Sequence, residues 1–164
     1  MDARRLAYLD AMGIDVWQPR REPLPAAAAD TAPHIALSGG DGDILCIAHS
    51  AEESGLKLAA DIARAMRSPP VWAWPSAGHA GEAKVMTVQG AVAQELLTRV
   101  LVFGEDLAEA LFGGEAPEVI AGARVHVVPD LERLGRDREA KRILWGVMRE
   151  YGIAAPRNPA SIKT

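Results

Sequence analysis

The chain has 164 residues, 49% of them hydrophobic and 24% charged, and a formal net charge of −4. That size fits one domain with an ample core plus a tail, and leaves no room for a second full domain. The acidic balance excludes a nucleic-acid affinity spread over the whole surface, so any basic patch must be local.

Near the start, Leu6, Leu9 and Met12 recur at spacings of three and Gly13 follows as a stop, which predicts a short amphipathic helix over residues 4–12. Ile14-Asp15-Val16-Trp17 and Arg20-Arg21 come next, and then a stretch over residues 23–33 dominated by Pro and Ala without apolar periodicity. Such a stretch reads as a linker. Residues 1–32 are therefore expected to form an arm that is mobile when the chain is alone, because it has too few apolar groups to offset the entropy of ordering. Met1-Asp2-Ala3-Arg4-Arg5 leads into no apolar stretch of signal-peptide length, and no run approaches the ~18 apolar residues of a membrane span. The cytoplasm is the expected location.

The domain itself is expected over residues 33–153. Ile35-Ala36-Leu37 and Ile44-Leu45-Cys46-Ile47-Ala48 are strand candidates separated by Ser38-Gly39-Gly40-Asp41-Gly42-Asp43, which predicts a hairpin turn. Leu56, Ala59, Ala60, Ala63 and Met66 then carry a helical period over residues 52–67, ended by Pro69-Pro70. Further on come a short strand at Val71-Trp72-Ala73-Trp74, a helix over 88–97, a strand at Val100-Leu101-Val102-Phe103 closed by Gly104, and a helix over 105–111. A strand over 123–128 and a helix over 137–151, with Ala140, Ile143, Leu144, Val147 and Met148 on one face, complete the domain. Residues 154–164 read as a loose tail. Strands alternating with helices predict an α/β domain of three layers, α/β/α, with a mainly parallel central sheet.

Catalytic or metal-binding patterns do not emerge. Ser38 to Asp43 lacks the Lys-Ser/Thr pair of a phosphate loop and the ligand series of a calcium loop. His34, His49, His79 and His126 stand far apart and belong to no zinc motif, and His126 reads as a strand residue that packs or hydrogen-bonds. Cys46, the single cysteine, reads as a small hydrophobe. Trp72 and Trp74 share one strand face and suit a core or a protein interface better than base stacking, and Trp145 reads as a core residue of the last helix. No cofactor is expected. Trp17 differs from these, because it stands outside the domain among Leu6, Leu9, Met12 and Ile14, flanked by Arg4, Arg5, Arg20 and Arg21. Apolar anchors, one Trp and rim arginines compose a binding hot spot that folds on a partner.

Arg4-Arg5-Leu6-Ala7-Tyr8-Leu9-Asp10-Ala11-Met12-Gly13-Ile14-Asp15-Val16-Trp17 resembles the N-terminal peptide of the psi subunits of bacterial DNA polymerase III holoenzyme, and Asp137-Arg138-Glu139-Ala140-Lys141-Arg142-Ile143-Leu144-Trp145 resembles their closing helix. The resemblance implies a subunit without an active site that bridges the clamp loader to a chi-like subunit, and through it to single-stranded-DNA-binding protein. It implies that Arg4, Arg5, Leu6, Leu9, Met12, Gly13, Ile14 and Trp17 contact the clamp-loader collar, that contact with primed DNA is indirect or transient, and that no membrane is involved. The C-terminal half is also similar to iron–sulfur uracil-DNA glycosylases, whose fold psi subunits resemble. Here Asp130-Leu131 falls where their catalytic His-Pro would stand, the Gly-Glu-x-Pro-Gly loop is missing, and one cysteine replaces a full ligand set. An Asp cannot take over a neutral histidine's donation to a developing base anion, so glycosylase chemistry is the alternative and not the expectation.

Overall fold

Val100, Leu101, Val102 and Phe103 of β5 (Arg99–Phe103) are completely buried, the condition of a strand whose sheet is covered on both faces. Alternate residues divide between two apolar clusters, with Leu45, Ile47, Val100 and Val102 in one and Ile44, Cys46, Leu101 and Phe103 in the other. The computed structural model describes residues 33–76 and 84–155. The expected arm and linker, with Arg4, Arg5, Leu6, Leu9, Met12, Gly13, Ile14 and Trp17, lie outside the described residues, as does the tail from residue 156.

Six further strands are β1 (His34–Leu37), β2 (Ile44–Ile47), β3 (Val71–Ser76), β4 (Lys84–Thr87), β6 (Val119–Ile120) and β7 (Ala123–Val128). They join β5 in one seven-stranded sheet of order β4-β1-β3-β2-β5-β7-β6. Within it β3, β2, β5 and β7 run parallel, whereas β1 is antiparallel to both β3 and β4, and β6 is antiparallel to β7. The fold is mixed α/β. The expected mainly parallel character therefore holds for the central strands and fails at both flanks, where the short β4 and β6 were not anticipated at all.

The expected hairpin between β1 and β2 is also corrected, since β3 lies between them. Residues 38–43 span β3 instead of turning back: Ser38 N donates to Trp72 O at 2.7 Å, and Trp72 N donates to Ser38 Oγ at 3.0 Å. A Gly/Asp-rich connection suits a tight turn and an arch equally well, and the burial gained by placing β3 centrally selects the arch.

Helices contribute to both apolar clusters. Val88, Ala91 and Val92 of α3 (Val88–Gln94) and Leu107, Ala108 and Leu111 of α4 (Glu105–Phe112) join the cluster of Leu45 and Val100. Ile62 of α2 (Lys57–Ala65), Leu131 and Leu134 of α5 (Leu131–Arg136), and Ala140, Leu144 and Met148 of α6 (Arg138–Glu150) join the other. The single helix expected over 52–67 is two, α1 (Ala51–Ser54) and α2, because Leu56 is extended and caps the second. The break rotates the buried face to Ala59, Ile62 and Met66 and leaves Leu56 49% exposed. The helix expected over 137–151 starts at an Asp137 cap, with the separate α5 before it. Ala154, expected to open the loose tail, instead bridges to Met66, and Ala155 N donates to Ala65 O at 2.8 Å.

Candidate functional site

The parallel strands β2, β5 and β7 deliver three loops side by side at their carboxyl ends, beginning at Ala48, Gly104 and Pro129. In sheets of this kind that edge is where ligands collect. A cleft of about 510 Å³ opens there, lined by Glu105, Asp106, Glu109 and Asp130 together with Arg133. A neighbouring hollow of about 530 Å³ shares Glu105 and Glu109 and adds Glu115. The Arg133 guanidinium lies 3.6 Å from Asp137, so its charge is already partly offset. Carboxylates dominate the edge, and their field repels the phosphates of a nucleic acid.

Asp130 caps α5: its Oδ1 accepts from Arg133 N at 2.6 Å. A carboxylate held as a helix cap is engaged as a hydrogen-bond acceptor. On the β2 side, His49 Nε2 lies 3.2 Å from Asp106 Oδ2, and Glu53 Oε2 accepts from His49 N at 3.0 Å. Ser50 Oγ in turn accepts from Glu53 N, so Glu53 and Ser50 together cap α1. Gly104, at φ 115°, makes room for this tie, since a Cβ there would stand 2.9 Å from His49 Cε1. No sequence signal foretold the His49–Asp106 pair, which joins the loop after β2 to the first turn of α4 across 57 residues.

The hydrogen bond from His49 holds the Asp106 carboxyl below the usual carboxylate range. A carboxyl depressed in the folded state adds stability above its ordinary pKa, and that contribution is lost as pH falls through the folded value. Asp106→Asn is therefore expected to lower the melting temperature slightly near neutral pH and to match wild type in strong acid. An equal deficit at both pH values in thermal melts would refute the pairing.

Other residues singled out in the sequence fall elsewhere. Cys46 is fully buried, and burial pushes its thiol far above the ordinary range, which suits the expected packing role. Trp72 stacks on Phe103 with centroids 5.7 Å apart, as a core residue would. Trp145 is corrected: it is 43% exposed, and Ile143, expected on the buried face of the same helix, is 44% exposed. The burial stripe of α6 runs through Ala140, Leu144 and Met148, a narrow spacing of four that leaves the residues beside it outside. His126 packs against the Tyr151 ring at 3.9 Å but makes no hydrogen bond through Nε2.

No family model, no curated protein and no solved structure matches this chain. Among the described residues no group of three or more His, Cys, Asp and Glu is placed to hold a metal ion, and no helix is long and apolar enough to cross a membrane.

Proposed function

We propose that this chain is a non-catalytic accessory subunit of the DNA polymerase III clamp-loader complex in DNA replication, of the psi type. Its N-terminal peptide binds the clamp loader, and its α/β domain binds a chi-like subunit and so reaches single-stranded-DNA-binding protein. The observation that carries this reading is the carboxyl-end cleft, in which Asp130 serves as a helix cap among Glu105, Asp106 and Glu109. An edge of that charge is unsuited to drawing in DNA for base chemistry, which disfavours the alternative, a divergent uracil-DNA-glycosylase-fold protein acting in repair. The resemblance of Arg4 to Trp17 and of Asp137 to Trp145 to the ends of psi subunits supports the reading. Ile143 and Trp145, apolar and exposed beside Lys141 and Arg142, suit an interaction surface. The three-layer arrangement and the relation to the glycosylase fold belong to the same proposal, supported by apolar clusters on both faces of the sheet. A cytoplasmic location follows from it.

Trp17→Ala tests the proposal. Truncating a central interfacial Trp costs ~2 kcal/mol or more, about thirtyfold in affinity. Binding to a reconstituted clamp-loader collar should fall by that factor while the melting curve and the chi-like contact are retained. A lowered melting temperature with collar affinity intact would place Trp17 in a core and end the recognition-peptide reading, and robust uracil release from single-stranded DNA would favour the repair alternative.

A further inference from the structure

The opposite end of the same strands has the opposite charge. Arg99 opens β5 and Arg124 stands beside it on β7 in direct register, so both side chains leave one face of the sheet as neighbours. His126, two residues after Arg124, shares that face, and Tyr151 at the end of α6 packs on its ring. A hollow of about 330 Å³ is lined by Arg124, His126, Tyr151 and Glu118, with Arg99, the strand neighbour of Arg124, beside it.

Two like charges directly opposite each other destabilise a sheet unless something answers them. Arg64, Lys84, Arg133, Arg136 and Arg142 each have a carboxylate within 4.0 Å, but among the described residues neither Arg99 nor Arg124 does. Arg99 donates through one terminal nitrogen to Thr98 Oγ1 at 3.2 Å. Its Nε and His126 Nε2 are both buried without a hydrogen-bond partner. Glu118 at the rim, Glu150 near His126 and the carbonyl end of α6 offset part of the positive charge, yet none of them bonds to these nitrogens. Burial first, then Arg124 and Arg99, hold His126 below its ordinary range against the opposing pull of Glu150. Buried polar atoms without a partner are rare because each forfeits a hydrogen bond; one of these two belongs to His126, which lines the hollow, and the other to Arg99, the neighbour of Arg124, and together they mark the place of a bonding partner.

We propose that this hollow is a phosphate-binding site in which a phosphoryl group accepts hydrogen bonds from Arg99, Arg124 and His126 Nε2. A tetrahedral dianion offers oxygens in several directions and so suits donors converging from two strands, where a planar carboxylate would be taken up by a single guanidinium. The site is independent of the clamp-loader reading. It accommodates either a free or terminal phosphate or the backbone of a single strand.

Inorganic phosphate and a short oligothymidylate with and without a 5′ phosphate, each titrated into the full chain, test it, with the His126 ring proton resonance as the readout. A saturable shift is expected, together with a rise in the midpoint of His126 titration, because a bound anion favours the imidazolium. Arg124 is exposed, so Arg124→Gln should keep the fold and weaken binding by about tenfold or more, as loss of a charge-assisted hydrogen bond does, whereas Lys57→Gln on α2 should change nothing. Binding that needs inorganic phosphate or the 5′ phosphate identifies a small or terminal ligand, and equal binding of both oligonucleotides identifies the backbone; either supports the site. No saturable shift with any probe, or unchanged affinity in Arg124→Gln, would overturn it.

Discussion

Phe103→Ala is expected to destabilise the domain by about 3–5 kcal/mol, a drop of about 10–20 °C in melting temperature. Phe103 is fully buried at the end of β5 and is the partner on which Trp72 stacks at 5.7 Å, so its removal opens a cavity between the sheet and the helices of that face. The lost ring contact adds to the transfer term. Phe103→Leu, which keeps most of the volume, should cost less than half as much. Chemical denaturation of the three proteins checks this, and a Phe103→Ala protein within 1 kcal/mol of wild type would mean that Phe103 is not a core residue; that threshold is roughly the cost of an ordinary substitution.

Gly42→Ala is expected to cost roughly 3 kcal/mol or more, although only one methyl group is added. Gly42 is buried where the arch over β3 passes the segment before that strand, and a Cβ there would overlap the carbonyl oxygen of Pro69. The obstacle is backbone, which cannot swing aside as a side chain would. Gly39, in the same connection, has nothing within 4 Å of its would-be Cβ, so Gly39→Ala should be neutral to within about 0.5 kcal/mol. The contrast separates the arch from a hairpin, in which neither position would meet Pro69. Equal stabilities for the two variants in urea unfolding would contradict the observed topology.

Local composition and period were enough to place most of the elements. The unbroken apolar runs at Ile44–Ile47 and at residues 100–103 show strands buried on both sides, and Gly113, at φ 71°, ends α4 in a left-handed cap. These features rest on contacts within a few residues or on the average chemistry of a stretch, so one sequence contains them. Which strand pairs with which does not reside there: β1 and β2 carry the same local signals whether they meet each other or both meet β3, and the choice falls to the burial of β3. The helix faces were misread for the same reason, because the periods around Leu56 and Trp145 allow more than one apolar stripe and only the sheet beneath selects Ile62, Leu144 and Met148.

The sites divide along the same line. Arg4 to Trp17 stand out in the sequence because they are apolar and basic residues beyond any periodic core, a property of the chain alone. The His49–Asp106 tie, and the hollow lined by Arg124 and His126 beside Arg99, are formed by residues that carry no motif and lie on separate strands, a loop and a helix. Their meaning comes from register and from the ends at which parallel strands stop, and those are decided only when the sheet closes, since the free energy that aligns the strands comes from burying their apolar neighbours and not from the polar groups themselves.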